Sequence, residues 1–275
     1  MNTLQNLHQH TTYCDGRNTP EEVVLAAIEK GFGAIGFSGH CYTPYHYPTC
    51  PDYCMSPQQT EAYIQQIRQL QKQYEDRIEV YCGLEYDFAC PQMPAGFDYM
   101  IGSIHGLKID GMDVEFDGSA EKFQAVTDRY FGGDGMAFAT TYFRQLATLP
   151  EYGSFDILGH FDLVTKHRET ITLFDTEAKA YRFAAVEAAE ALAGKIPYFE
   201  VNTGAMARGY RTTPYPDPFI LRELKRLGFG AVITSDCHDV RFLDCGFDTA
   251  AQLLKDCGFA EKYILTRDGF RAVPL

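Results

Sequence analysis

Seven short apolar segments recur along the chain, and most are followed by a loop and a helical pattern. Repeated strand–helix units imply parallel strands joined by right-handed crossovers. Seven units without a change of composition predict an α/β fold, a distorted (β/α)7 barrel, with a doubly wound open sheet as the alternative. The 275 residues suffice for one barrel, so we predict a single domain over 1–275. The predicted strands are 6–10, 34–37, 79–84, 99–104, 155–158, 198–201 and 231–233.

Helix-start signals stand between these strands. Thr19 is a suitable N-cap, Pro20 suits the first helical position, and two acidic residues follow. Ser56 opens a second, longer helix. The predicted helices are 20–31, 56–74, 119–131, 136–148, 176–193, 218–227 and 247–256. Residues 41–55 and 106–118 carry neither pattern and are predicted to be irregular loops, which at this length often have a functional role.

An excess of acidic residues limits the possible partners. The chain has 24 Lys and Arg against 37 Asp and Glu, a net charge of −13. Such a surface repels phosphate backbones, so general nucleic-acid binding is not expected, although a small phosphorylated substrate is compatible with a local cationic pocket. No apolar run reaches the length of a membrane span, and residues 1–10 lack the apolar core of a signal peptide. We expect a cytoplasmic protein with reduced cysteines, and the oligomeric state stays open.

Histidines and carboxylates fall at the ends of the predicted strands. Six of the eight histidines lie at or just past a carboxyl end, as do Glu85 and Asp236, and Asp15 follows closely after the first strand. In a parallel barrel these ends meet on one face, where barrel enzymes build their active sites. A single histidine there is more often a satisfied polar residue, but this many in phase with the strands predict a site for Zn²⁺, Mn²⁺ or Fe²⁺. The six are His8, His10, His40, His105, His160 and His238.

The spacing of these residues favours shared metal ions. His8 and His10 are two residues apart, so both rings point to the same side of a strand, and Asp236 and His238 repeat this spacing. Glu85 follows the third strand alone, where its two oxygens suit a bridge between two ions. The candidates that receive no ligand role are His46, His167 and the cysteines Cys14, Cys41, Cys50, Cys54 and Cys237.

Six motifs appear along the chain in a fixed order. They are His8-Gln9-His10-Thr11 with Asp15-Gly16, Phe37-Ser38-Gly39-His40, Gly83-Leu84-Glu85-Tyr86-Asp87, Ile101-Gly102-Ser103-Ile104-His105, Ile157-Leu158-Gly159-His160-Phe161-Asp162 and Thr234-Ser235-Asp236-Cys237-His238. Together they resemble the PHP superfamily, the polymerase and histidinol phosphatase metallohydrolases, over about residues 4–260. The resemblance implies a distorted (β/α)7 barrel that holds up to three metal ions.

The resemblance also implies how the ligands are divided, and every position of the pattern is filled by a competent ligand. The first ion would be held by His8, His10, Glu85 and Asp236, the second by Glu85, His105 and His160, and the third by Asp15, His40 and His238. We expect Glu85, Asp236 and His238 to belong to the catalytic centre as well.

Within the superfamily the chain is most similar to the stand-alone histidinol-phosphatases. The Gly-Leu-Glu-Tyr-Asp form of the third strand and the run at 199–203 carry this similarity. It implies hydrolysis of L-histidinol phosphate, a step of histidine biosynthesis. The small residues before His40 and His238 and the loop at 41–54, rich in Cys, Tyr and Pro, depart from that group. The alternatives are a PHP phosphoesterase acting on nucleotides, nucleic-acid ends or phosphotyrosine, and a non-catalytic metal-binding protein.

A phosphate substrate also needs a cationic side chain facing its oxygens. The candidates on loops of the same face are Arg17, Lys166, Arg168, Arg208 and Arg211. Arg208 is favoured because it closely follows the turn at 202–204 in a loop flanked by glycine. Lys166 comes next because it matches a basic position in the family motif.

Overall fold

The computed structural model describes residues 2–45 and 50–275, and His46 therefore lies outside the described residues. The strands are β1 Gln5–Asn6, β2 Ala34–Phe37, β3 Glu79–Asp87, β4 Tyr99–Ser103, β5 Gly106–Ile109, β6 Met112–Glu115, β7 Ile157–Leu158, β8 Tyr198–Asn202, β9 Gly230–Thr234, β10 Glu261–Thr266 and β11 Gly269–Pro274. The α-helices are α1 Pro20–Glu29, α2 Pro57–Gln73, α3 Ala120–Phe131, α4 Gly135–Leu146, α5 Lys179–Leu192, α6 Gly204–Ala207, α7 Pro218–Arg226 and α8 Phe247–Asp256. Short 3-10 helices cover Leu149–Glu151, Leu163–Thr165 and Val240–Phe242.

Seven parallel strands form the central sheet in the order β1-β2-β3-β4-β7-β8-β9. Each of these seven strands pairs with the next of the seven along the chain, without the reversal of order that defines a doubly wound sheet. Beyond the two outer strands, Gln9 pairs with Cys237, and the His10 amide donates to the Cys237 carbonyl at 2.9 Å. This contact nearly closes the sheet, and the predicted distorted (β/α)7 barrel is confirmed.

Aromatic and branched side chains fill the barrel interior. Tyr99 is 1% exposed, and its hydroxyl donates to the carbonyl oxygens of Leu7 and Phe37 on neighbouring strands. Glycines make room for this ring, since a Cβ added at Gly83 would lie 2.3 Å from it and one at Gly36 would lie 2.4 Å from its hydroxyl. The interior is therefore closely packed around this ring.

Helices start where the capping signals predicted. At α1, the Thr19 hydroxyl accepts the Glu22 amide and the Glu22 carboxylate accepts the Thr19 amide, a complete capping box. Ser56 and Gln59 form the same arrangement at α2. Each cap contributes about 1 kcal/mol and fixes where its loop ends. The α5 helix is shorter than the predicted 176–193.

Two hairpins depart from the predictions. Residues 106–118, expected to be irregular, contain the antiparallel pair β5 and β6, and Asp110-Gly111 turns between them with φ of 50° and 80°. The strands β10 and β11 were not predicted, and they lie against β9 at the amino-terminal end of the barrel. The Gln5 side chain anchors this second hairpin through two hydrogen bonds to the Leu265 backbone, of 2.8 and 2.9 Å. Only the first hairpin lies near the candidate site.

The length and composition of the helices bear on membrane insertion. The longest, α2, has 17 residues and is rich in glutamine. Within the described ranges, no helix is both long and apolar enough to cross a bilayer. All nine cysteines are free thiols.

Candidate metal centre

All nine predicted ligands converge at the carboxyl face of the barrel. One lies within a strand, Glu85 in β3, and the other eight lie in the loops that follow β1, β2, β4, β7 and β9. Because these strands are parallel, their following loops share one face. The side chains of His8, His10 and Glu85 are at most 1% exposed, whereas Asp15 is 33% exposed. The cluster therefore runs from the barrel interior to the surface of a cleft.

Glu85 stands at the centre of the cluster. Its Oε2 lies 3.2 Å from His8 Nε2, 3.6 Å from His10 Nε2 and 2.9 Å from His40 Nδ1. Its Oε1 faces the other way and lies 3.0 Å from His160 Nε2 and 3.3 Å from His105 Nε2. The two oxygens thus face two different sets of imidazoles. This is the arrangement expected of a carboxylate that bridges two ions.

Asp236 continues the first set. Its Oδ1 lies 3.2 Å from His10 Nε2 and 3.7 Å from His8 Nε2. The backbone of Asp236 has φ of 46°, in the left-handed region that few residues other than glycine adopt. This conformation directs the carboxylate towards the two histidines, and backbone strain of this kind is concentrated at functional sites.

A third group lies at the outer edge of the cluster. Asp15 Oδ2 is 3.1 Å from His238 Nε2 and 3.8 Å from His40 Nε2, and Asp15 Oδ1 is 3.5 Å from His10 Nδ1. The rings of His10 and His238 stack with their centroids 4.1 Å apart. His10 thus faces two groups, through one ring nitrogen each. The division of ligands implied by the family resemblance places it in the first group only.

The residues present fit metal ions. His8 Nε2, His10 Nε2 and Glu85 Oε2 are buried and have no hydrogen-bond partner among the described residues. An unsatisfied buried polar atom costs about 1–3 kcal/mol, so three together call for a cation that binds them all. Combinations of ligand atoms within 4.8 Å of one another include His8, His10 and Asp236, as well as His40, Glu85 and His105. Imidazole and carboxylate donors of this kind suit Zn²⁺, Mn²⁺ and Fe²⁺.

Electrostatics favours the metal-binding protonation state of His10 and Glu85. Burial, together with the neighbouring His238 and His40, lowers the pKa of His10 to about 3, so its imidazole is neutral at pH 7. Burial alone would raise the pKa of Glu85, but the nearby histidines, His8 first, hold it well below its usual range. Glu85 is therefore ionised in spite of its burial.

Two buried carboxylates that sequence reasoning missed support the ligands. Glu200, fully buried in β8, lies 2.8 Å from His8 Nδ1, on the side of the ring opposite to the cluster. Asp87 accepts the His105 amide at 2.8 Å and lies 3.1 Å from His105 Nδ1. A signal for both was present, because Glu200 interrupts an apolar strand and Asp87 is two residues after Glu85, on the same side of β3.

Two of the predicted cationic residues reach the cleft. Arg208, at the end of α6, places Nη2 2.9 Å from Asp236 Oδ2, and Lys166 places Nζ 2.7 Å from Asp117 Oδ1. Both side chains line a lobe of about 160 Å³ above the ligand cluster. A Cβ at position 204 would lie 2.9 Å from Arg208 Nη2, so Gly204 permits this close approach.

The other cationic candidates do not line this lobe. Arg168 forms an ion pair with Asp217 and faces a separate small cavity, and Arg17 is 72% exposed beside Asp239 at 3.6 Å. Arg211 is buried and donates to Thr165 Oγ1 at 2.6 Å. The structure therefore places neither Arg17 nor Arg168 at this lobe, and the predicted substrate contact of each stays a prediction. Asp217 pairs with both Arg168 and Arg211 and holds these two guanidinium groups away from the cleft.

A second lobe, of about 200 Å³, opens from the same cluster. It shares Asp15, His40, Glu85, His105 and Asp117 with the first lobe. The further side chains around it are Cys41, Thr43, Tyr45, Tyr53, Asp87 and Glu115. Neither Lys nor Arg lines this lobe within the described residues, so it lacks the two cations that Arg208 and Lys166 bring to the first lobe.

Comparisons with known proteins agree with this architecture. The family model described as the PHP domain matches residues 6–204. A "probable histidinol-phosphatase" of Deinococcus radiodurans is 27% identical over 94% of this chain and 95% of its own, and the histidinol-phosphatase of Bacillus subtilis is 25% identical over 84% and 92%. The crystal structure of the Lactococcus lactis histidinol phosphate phosphatase, complexed with zinc, L-histidinol and phosphate, superposes with a TM-score of 0.70 at 22% identity, covering 98% of this chain and all of that one. This chain belongs to the PHP domain family.

Proposed function

We propose that this protein is a metal-dependent phosphomonoesterase that hydrolyses L-histidinol phosphate to L-histidinol and phosphate. The observation that carries the proposal is a cleft with two unlike lobes on one ligand cluster: Arg208 and Lys166 reach into one lobe, and the other is acidic and aromatic around Tyr45 without a Lys or Arg among its described residues. Such a cleft suits a substrate with an anionic end and a cationic end. Relatives that carry the name histidinol-phosphatase over nearly their whole length support the same substrate.

The ligand cluster would hold two to three divalent ions, and their assignment to the nine ligands is part of the proposal. Zn²⁺, Mn²⁺ or Fe²⁺ bound there would supply a water nucleophile at neutral pH and charge compensation for the phosphate oxygens. Among the ligands, we assign Glu85, Asp236 and His238 to the catalytic centre. The buried carboxylates of Glu85 and Asp236 would hold the ions in place, and the partly exposed His238 would leave an approach for the substrate.

Arg208 and Lys166 would bind the phosphoryl group from the side of the cleft. Each is held by one acidic partner, Asp236 or Asp117, and neither partner uses all the donors of its cation. The planar guanidinium matches two phosphate oxygens at once, whereas the ammonium group acts as a point charge. We therefore give Arg208 the orienting role and Lys166 a purely electrostatic one.

The second lobe would bind the rest of the substrate. L-Histidinol carries an amine and an imidazole, both of which can bear positive charge. Tyr45 donates to Asp87 at 3.1 Å, which fixes its ring, and the Tyr53 ring lies 6.2 Å from the His40 ring, edge-on. The Glu115 carboxylate lines the same lobe. Aromatic faces and carboxylates together favour a cationic group over a second phosphate.

Two broader predictions remain part of this proposal. A single domain over residues 1–275 and a cytoplasmic location follow from the sequence. The free thiols are consistent with a reducing compartment.

A phosphate-release screen tests the function. Protein reconstituted with each metal in turn is assayed on L-histidinol phosphate, p-nitrophenyl phosphate, nucleoside monophosphates, phosphotyrosine and single-stranded DNA. We expect kcat/KM for L-histidinol phosphate to be at least ~100-fold above that for p-nitrophenyl phosphate, about 2.7 kcal/mol of discrimination. A matched substrate that lacks only the amine should lose much of this advantage. Preference for a nucleotide or for DNA ends would contradict the proposal.

A further inference from the structure

The buried carboxylate of Glu200 contacts two of the proposed metal ligands at once, His8 and His160. Its Oε2 lies 2.8 Å from His8 Nδ1 and accepts the Thr234 hydroxyl at 2.7 Å. Its Oε1 accepts the His160 amide at 2.6 Å and the Asn202 side-chain amide at 2.8 Å. The side chain is fully buried; three of these neighbours are donors to it, and the fourth is the His8 ring nitrogen.

These contacts determine the tautomer of His8. An ionised carboxylate only accepts hydrogen bonds, so the proton of the neutral imidazole is on Nδ1, facing Glu200. Nε2 then carries the lone pair, and it lies 3.2 Å from Glu85 Oε2 and 3.7 Å from Asp236 Oδ1. Buried Nε2 has no hydrogen-bond partner among the described residues, as expected of a nitrogen that binds an ion.

We infer that Glu200 is a positioning residue that sets His8 in its metal-binding tautomer and at the same time fixes the backbone of His160. The inference rests on the metal centre of the proposed function. His8 and His160 face different oxygens of Glu85, so one buried carboxylate supports ligands on both sides of the proposed bridge. Hydrogen bonds of this kind beyond the ligands fix ring orientation and raise ligand basicity.

The substitution Glu200→Gln distinguishes this role from simple packing, because the two side chains have nearly the same shape. Glu200 Oε1 faces two donors that cannot become acceptors. One is the backbone amide of His160, and the other is Asn202, whose own oxygen accepts the Gly204 amide at 2.8 Å. The new amide group must therefore occupy the Oε2 side, facing His8 Nδ1 and the Thr234 hydroxyl, both of which can accept. His8 then carries its proton on Nε2, where it blocks metal binding.

Metal titration and nitrogen NMR of the full chain test the inference. We expect Glu200→Gln to bind Zn²⁺ about 10–100-fold more weakly at one site. In chelated protein, at a pH high enough to keep the His8 imidazole neutral, two-dimensional ¹H–¹⁵N spectra should show His8 protonated on Nδ1 in the wild type and on Nε2 in the variant. Asp156→Asn is the matched control. It neutralises a carboxylate that accepts the Met100 amide at 2.8 Å at the opposite end of the barrel, and it should change neither reading.

The outcomes separate this role from the function. Zinc affinity of Glu200→Gln within about threefold of wild type, or a wild-type His8 protonated on Nε2, would overturn the inference. The wild-type spectrum decides this even if the variant does not fold. Wild-type protein that binds zinc through a Glu200-dependent site but releases no phosphate from L-histidinol phosphate would overturn the proposed function and leave the inference standing.

Discussion

Replacing Arg208 by alanine should separate substrate binding from metal binding. The guanidinium lies 2.9 Å from Asp236 Oδ2, 3.2 Å from the Asp236 carbonyl and 3.0 Å from His238 Nδ1. These contacts leave N–H donors free to bind two phosphate oxygens. Charge builds on those oxygens during the reaction, so the contact should strengthen towards the transition state.

The size of the effect follows from the exposure of the side chain. A hydrogen bond between charged groups contributes about 1.5–3 kcal/mol, and two of them would contribute about 3–6 kcal/mol. Arg208 is 30% exposed, so solvent screens part of this energy and the lower end applies. We expect Arg208→Ala to lower kcat/KM for L-histidinol phosphate by roughly 10²–10³, about 3–4 kcal/mol, as for the loss of one oxyanion donor.

Steady-state kinetics with metal analysis of the same samples measures this effect. Metal content should stay at the wild-type level, because Arg208 is not a ligand. Arg208→Lys should recover only part of the loss, since an ammonium group cannot bind two oxygens in one plane. Arg17→Ala, an exposed loop arginine, is the control and should be silent. Loss of metal in parallel with activity would show that Arg208 acts through Asp236. A kcat/KM within about threefold of wild type would refute the role of Arg208 in binding the phosphoryl group.

Three further predictions concern the same centre. Elemental analysis of gently purified protein should find about two to three equivalents of transition metal, and less than about one, unrestored by added metal, would contradict the trinuclear reading. Glu85→Ala should abolish turnover and lower metal content while circular dichroism stays native, and activity within about tenfold of wild type would show that Glu85 is not the bridge. Lys166→Ala should lower kcat/KM less than Arg208→Ala, and Arg168→Ala should lower it least, because Arg168 pairs with Asp217 away from the cleft. The reverse order would assign the binding of the phosphoryl group to the loop after β7.

The barrel and the ligand cluster were predictable because both depend on the same regularity. Each βα unit ends its strand on one face, so ligands that lie in phase with strands must converge. Glu85 illustrates this, since its position after the third predicted strand was enough to place it among histidines from four other loops. The hairpin β5–β6 was missed because it interrupts this regularity, although Asp110-Gly111 is a strong turn signal.

Two kinds of residue could not be placed from sequence. Strands of a parallel barrel are buried on both faces, so alternation does not tell which face of β8 points inward, and Glu200 carried no sign of its direction. Long cationic side chains can reach several partners, and an acidic residue distant in sequence decides among them. Arg168 and Arg208 lie on neighbouring loops of the same face, yet Asp217 holds one away from the cleft and Asp236 holds the other within it.

Strand β8 carries no predicted metal ligand, yet it organises the centre as much as the strands that carry ligands. From the interior side of β8, Glu200 binds the loops after β1 and β7, and Asn202 places Nδ2 3.4 Å from Asp236 Oδ2 in the loop after β9. Immediately after β8, α6 brings Arg208 onto that same carboxylate. Where a strand carries metal ligands, the side chains at its carboxyl end must face the ion. Because β8 is free of this constraint, it can support the ligands of three neighbouring loops from below and present a cation to the substrate from above.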